Sequence, residues 1–151
     1  MSTEFEEAIY QDLGRSHFVT ELLEISSCKA DAEWSLNNLD WMSKDYKVET
    51  EMALGPGTTI IRHEPLGVVG IYGSWNFPVV VCLKPLIQSI TTGNAVLLKP
   101  SEVAPKSSAV LKKFCEQYLD PESIQCLEGG VEVAQKMNGL KLDLICFTGS
   151  T

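Results

Sequence analysis

The sequence predicts an α/β fold: N-terminal helices and an extended hairpin, followed by part of a doubly wound, Rossmann-like parallel sheet that is incomplete at the C-terminus. Three observations predict it. Apolar residues recur at helical spacing through the first forty or so positions. Two extended arms then flank Gly55-Pro56-Gly57, with β-branched residues enriched in the second. After Glu64-Pro65 the charges thin out, and short apolar runs alternate with helical stretches. The chain therefore divides into a helical segment, 1–46, a hairpin arm, 47–64, and a sheet domain, 65–151.

In order along the chain, Thr3 and Glu6 have capping-box spacing, and Phe5, Ala8, Ile9 and Leu13 continue a helix that Gly14 should end. From Ser16 to about Met42, Phe18, Leu22, Ile25, Ala32, Leu36 and Leu39 mark one long amphipathic helix with no Pro or Gly inside it. Lys47–Leu54 and Thr58–His63 are the hairpin arms. Leu66–Tyr72 reads as a strand, and Phe77–Thr92 as a helix with Pro78 in its first turn and Gly93-Asn94 at its end. A strand at Ala95–Leu98, a helix at Pro105–Tyr118, a strand at Ser123–Leu127, a helix at Val131–Asn138 and a strand at Leu142–Phe147 complete the alternation.

Composition narrows the function classes. The net charge of −8 is concentrated early: residues 1–64 hold 13 acids against 5 Lys/Arg, and residues 65–151 hold 7 against 7. With no basic run there is no footprint for a phosphate backbone, so a nucleic-acid partner is not expected. Five widely spaced cysteines (Cys28, Cys82, Cys115, Cys126, Cys146) make neither a disulfide framework nor a zinc site, which fits a reducing, cytoplasmic compartment with no metal. The start Met1-Ser2-Thr3-Glu4-Phe5-Glu6-Glu7 does not read as a secretory signal. Leu66–Leu83 is uncharged, but its three glycines, Asn76 and Pro78 argue against a membrane span.

Open parallel sheets bind ligands beyond the carboxyl ends of their strands. Four segments fall there: Gly73-Ser74-Trp75-Asn76-Phe77-Pro78, Lys99-Pro100-Ser101-Glu102, Glu128-Gly129-Gly130 and Thr148-Gly149-Ser150-Thr151. Each alone is explained as well by a cap, loop or turn; their shared position at one sheet edge carries the weight. A Gly loop entering a helix offers free N–H groups and a positive dipole end to a pyrophosphate. Lys99 and Glu102 have the spacing to hydrogen-bond ribose hydroxyls, and the Asn76 amide is a donor for an oxygen that turns negative during acyl or hydride chemistry. Gly67, Gly70 and Gly73 do not have the Gly-x-Gly-x-x-Gly spacing, so the residues themselves lead to a nucleotide-type site and no further.

The string Glu64-Pro65-Leu66-Gly67-Val68-Val69-Gly70, then Trp75-Asn76-Phe77-Pro78, Gly93-Asn94, Lys99-Pro100-Ser101-Glu102 and Phe147-Thr148-Gly149-Ser150-Thr151, resembles the aldehyde dehydrogenase superfamily in order and spacing. Lys-Pro-Ser-Glu, Tyr118-Leu119-Asp120 and Gly129-Gly130 are similar to its class 3 and fatty aldehyde branch. Residues 6–63 match more loosely, through Gln11-Asp12-Leu13-Gly14-Arg15-Ser16 and the helix after it. The resemblance implies that 65–151 is a partial NAD(P)-binding domain, that Asn76 is the oxyanion-hole asparagine, and that Trp75 lines the cofactor cleft. It further implies that Lys99 and Glu102 bind the adenosine ribose, that Gly130 lies near the adenine, and that Gly149 and Ser150 meet the pyrophosphate. An aldehyde substrate and a homodimer are implied by the same resemblance.

In that superfamily a thiolate attacks the aldehyde and a glutamate activates water, both from motifs downstream of Phe-Thr-Gly-Ser. Neither motif occurs within these 151 residues, and the five cysteines read as buried, inert thiols. His17 and His63 match no catalytic role. The expectation is thus the front part of an aldehyde dehydrogenase, inactive alone; the alternative is a non-catalytic nucleotide-binding or subunit-interaction module from that family. A third reading is that the piece is not stably folded alone, with an unpaired apolar sheet edge and aggregation expected.

Overall fold

The computed structural model describes residues 1–150, so Thr151 of the last expected segment lies outside the described residues. Helix α1 (Ser2–Leu13) starts before the expected cap: Thr3 and Glu6 both lie inside it, and the Met1 carbonyl accepts from the Phe5 N–H at 3.0 Å. It stops, as expected, at Gly14, whose φ of 65° only glycine adopts cheaply.

The long helix is continuous but not uniform. It comprises α2 (His17–Thr20), a π-helical turn (Glu21–Ile25) and α3 (Ser26–Met42), with the Ser16 hydroxyl accepting from the Val19 N–H at its start. The face it buries matches the expected stripe only in part. Ile25 is buried as expected, together with Thr20, Glu24 and Cys28, whereas Phe18, Leu22 and Leu36 are exposed. The π turn widens the repeat and rotates the helix beyond it, so a constant 3.6-residue count no longer tracks the inner face past Ile25.

The hairpin pairs β1 (Tyr46–Val48) with β2 (Thr59–Ile61), Tyr46 opposite Ile61. Its arms are shorter than expected. The Thr50 hydroxyl takes the Thr59 N–H at 3.0 Å, and a 3₁₀ turn at Met52–Leu54 uses up the rest of the first arm.

The main sheet contains β3 (Val68–Tyr72), β4 (Ala95–Lys99), β5 (Ile124–Cys126) and β6 (Leu144–Phe147), all parallel, in the order β5-β4-β3-β6. Helices α4 (Val80–Thr91), α5 (Pro105–Tyr118) and α6 (Val131–Asn138) make the crossovers. Helix α4 begins three residues later than expected, because a carboxylate from elsewhere in the chain binds its first N–H groups and leaves Phe77 and Pro78 in the loop.

Right-handed crossovers put α4 and α5 on one face and α6 on the other. Val69, Ile71, Val96 and Leu98 share the core with Leu86 and Leu111. A Cβ on Gly70 would come within 3.2 Å of the Met137 side chain of α6. Helix α1 packs on α5 through Phe5 and Phe114, and the Asp12 carboxylate accepts from the N–H groups of Lys106 and Ser107, capping α5 across 94 and 95 residues of chain. No described helix is long and apolar enough to cross a membrane.

Candidate functional site

The chain runs from β3 to β4 to β5 in one direction along the sheet, then returns to place β6 on the other side of β3. The strand order thus reverses between β3 and β6, and open α/β sheets form a ligand crevice beyond the carboxyl ends of strands at such a point. The structure has a cleft of about 240 Å³ at this point, lined by Ser74, Trp75, Asn76, Thr148, Gly149 and Ser150. Strand register brings its two sides together: Tyr72 is level with Phe147, and the Thr148 N–H donates to the Tyr72 carbonyl at 3.0 Å.

The β3 side turns at Gly73. Its N–H donates to the Lys99 carbonyl at 2.9 Å, and a Cβ there would lie 2.3 Å from the buried Cys82 Sγ, so close approach to α4 requires glycine. Beyond the turn the Ser74 hydroxyl donates to Asn76 Oδ1 at 2.6 Å. That engages the acceptor of the amide and leaves Nδ2 as the donor presented by an exposed side chain. Trp75 is half exposed at the same cleft. On the β6 side a Cβ at Gly149 would come 2.7 Å from the Phe147 ring, so glycine lets the loop fold back over that ring.

Lys99 ends β4, level with Tyr72. Its side chain is only 7% exposed, and Nζ donates to the Pro100 carbonyl at 3.0 Å and to Glu102 Oε2 at 2.9 Å. The Glu102 carboxylate accepts from its own backbone N–H and from Lys99, and the two bonds hold it below the ordinary carboxylate range. Gly130 is the N-cap of α6, beyond β5, with nothing within 4 Å of a Cβ built there. The steric need for glycine falls on its neighbour Gly129, with φ 143° and a Cβ that would be 2.4 Å from Val133. Trp75, Asn76, Gly149 and Ser150 thus meet in one cleft, while Lys99, Glu102 and Gly130 are displaced along the same edge, over β4 and β5.

Two residues at this edge do not stand out in the sequence. Glu24, in the π turn, has no exposed side-chain surface. Its Oε2 accepts from the N–H groups of Val79 at 2.8 Å and Val80 at 3.0 Å, and its Oε1 from Arg15. Burial pushes this carboxyl above its usual range, against the pull of those two N–H groups and the guanidinium. Arg15 also donates to the Asn76 carbonyl and places its guanidinium carbon 4.4 Å from the Phe77 ring centroid. The sequence holds one hint: an acid between Leu23 and Ile25, at a position the helical count leaves near the apolar face.

Among the described residues no cysteine lines the cleft, and all five are free. Burial pushes the Cys28 and Cys82 thiols up to about 12, and a hydrogen bond with Cys115 together with burial raises Cys126, so these groups remain protonated at neutral pH. A larger groove, about 840 Å³, opens at the other end of the sheet beside Leu66, Gly93 and Asn94. It lies at the amino ends of the strands, and its lining includes Glu64 but no Lys or Arg, so it is unsuited to a pyrophosphate.

The aldehyde dehydrogenase family model matches residues 2–151, and so takes in every loop of this edge. This chain belongs to the aldehyde dehydrogenase family. Among curated aldehyde dehydrogenases, family 3 member H1 of Arabidopsis thaliana is 39% identical over 145 residues, covering 95% of this chain and 30% of that protein. The solved substrate-bound AldH of Staphylococcus aureus superposes with a TM-score of 0.93 at 32% identity, over 98% of this chain and 32% of that one. A Mycobacterium tuberculosis aldehyde dehydrogenase complexed with NAD+ shares the fold, with a TM-score of 0.77 at 20% identity over 93% of this chain and 29% of that one. The chain spans about 30% of the length of the curated family 3 relative.

Proposed function

We propose that this chain supplies one wall of a dinucleotide site, NAD or NADP, together with the oxyanion donor of an enzyme that oxidises an aldehyde to a carboxylic acid. The observation that carries the reading is the cleft between the carboxyl ends of β3 and β6, where the strand order reverses and Asn76 faces Gly149 and Ser150. The residues present fit a dinucleotide. Lys99 is a nearly buried cation already paired with a carboxylate, an arrangement suited to two ribose hydroxyls. Backbone at Gly130, with nothing within 4 Å of a Cβ built there, leaves room for the cofactor to approach the start of α6.

A nicotinamide, when bound, accepts hydride from the substrate carbon. The chain's own contribution is positional and electrostatic. Asn76 Nδ2 donates to the substrate oxygen as it gains negative charge, an interaction worth ~3–4 kcal/mol in comparable sites. Trp75 covers the cleft beside it. Glu102 at the ribose favours a free 2′-hydroxyl over a 2′-phosphate through charge repulsion, and so favours NAD. No cysteine lines the cleft among the described residues, so residues 1–151 bind cofactor without oxidising aldehyde. Family membership supports an aldehyde substrate, and the homodimer rests only on the sequence resemblance.

Calorimetric titration of NAD into folded 1–151 tests this reading. Heat of binding is expected for the wild type, and Lys99→Ala should weaken it by about tenfold or more, the scale of a lost hydrogen bond to a charged group. A wild type that melts cooperatively yet binds neither NAD nor NADP rules the proposal out.

A further inference from the structure

We infer that Arg15 and Glu24 are positioning residues for Asn76, which together fix the loop carrying the oxyanion donor. This rests on the oxyanion role proposed for Asn76. A carboxylate with no solvent exposure costs several kcal/mol unless its oxygens are satisfied, and apolar packing would fill the same space more cheaply. The hydrogen-bond partners of the Glu24 carboxylate are all tied to one loop: Val79 and Val80 end it at the start of α4, and Arg15 itself holds it. Glu24 Oε2 takes the two N–H groups at the loop's far end, and Oε1 takes Arg15.

Arg15 carries the restraint to the near end. One guanidinium nitrogen binds Glu24, the other donates to the Asn76 carbonyl, and the guanidinium carbon lies 4.4 Å from the Phe77 ring centroid. A planar fork can hold two acceptors and a ring at once, which a lysine ammonium on the same stem cannot. The fork's origin is itself fixed. Arg15 sits between the left-handed Gly14 that ends α1 and the Ser16 that caps α2.

The π turn completes the device by facing Glu24 inward, and turns of this kind recur at functional sites. Asn76 is then held by its carbonyl from Arg15 and by its Oδ1 from Ser74, with the fully buried Pro78 just beyond. These restraints engage the carbonyl and Oδ1 of Asn76, a residue lining the cleft, and leave the side-chain Nδ2 as the donor they do not use.

The test is nuclear magnetic resonance of isotope-labelled 1–151 and of its Arg15→Lys and Glu24→Gln variants. Gln has one acceptor oxygen, so it either keeps Val79 and Val80 and turns its NH₂ toward Arg15, or keeps Arg15 and turns its NH₂ toward those two N–H groups; Lys keeps the charge but loses the fork. The Asn76 side-chain NH₂ resonances are expected to shift and broaden in both variants, and amide exchange at Phe77, Val79 and Val80 to accelerate by about tenfold or more. Resonances of α5 and β5 should stay in place.

Unchanged Asn76 NH₂ resonances in folded Arg15→Lys would overturn the inference, as would shifts spread evenly over the core. If Glu24→Gln does not fold, Phe77→Leu replaces it. That variant removes the ring against which the Arg15 guanidinium stacks, and the inference requires it to move Asn76 and to accelerate exchange at Val79 and Val80 as well. The measurement needs no cofactor, so a wild type that fails to bind NAD defeats the dinucleotide reading and leaves this result standing.

Discussion

Lys99 and Glu102 are two side chains at a strand end that hold each other in place. The pair is made in the free protein at 2.9 Å, with the cation nearly out of solvent and the carboxylate half exposed. Because the Glu102 carboxyl is held below its ordinary range, it contributes stability above the unfolded-state value of about 4.3, and this is lost only as pH falls through the lower folded-state value. A carbon-13 titration of the Glu102 carboxyl should therefore have its midpoint below about 4.3 in the wild type and move upward in Lys99→Ala. A midpoint unmoved by that substitution would mean that Lys99 does not hold the carboxylate.

Residues of this kind were legible in the sequence because they directly follow apolar runs of strand length, and the sheet topology assigns them one edge. Arg15 and Glu24 were not, since their roles depend on a contact 55 residues away and on a π turn that no apolar period announces.

At the scale of elements, the loops are shaped more by where glycine is required than by how many glycines they contain. Gly129 and Gly130 look interchangeable in the sequence and are not. Gly129→Ala puts a Cβ at φ 143° and 2.4 Å from Val133, and should cost about 1–3 kcal/mol of stability in chemical denaturation. Gly130→Ala meets nothing within 4 Å and should leave the midpoint of unfolding nearly unchanged while weakening NAD, if the adenine side of the cofactor passes over it. Equal destabilisation by the two substitutions would contradict this assignment.

The order of helices and strands was legible throughout, as were the Gly14 stop and the Pro105 start of α5. Boundaries slipped where a distant side chain replaced a local signal. Glu24 caps α4 and delays its start to Val80, whereas Asp12 of α1 caps α5, which has no side-chain cap of its own, without moving its Pro105 start.

For the molecule as a whole, the main sheet is buried at its centre and uneven at its margins. Strand β6 pairs with β3 on one side only among the described residues, and Leu144, Ile145 and Phe147 are 42%, 51% and 64% exposed. An apolar edge of this kind recruits other strands. Light scattering of 1–151 should show association that grows with concentration, and Ile145→Lys should reduce it; a monomer at all concentrations would show that the edge is not adhesive.

The parallel sheet and the edge proposed to carry the site were legible from alternation alone, whereas the crevice depended on strand order, which alternation does not specify. The central claim is that a dinucleotide lies along the carboxyl edge of this sheet, and amide chemical-shift mapping of NAD on labelled 1–151 tests it most directly. Shifts are predicted at Ser74–Asn76, Lys99–Glu102, Gly129–Val131 and Thr148–Ser150, with Leu66 and Asn94 at the opposite end unmoved. Shifts centred on Leu66 and Asn94, or none in the folded chain at saturating NAD, would contradict it.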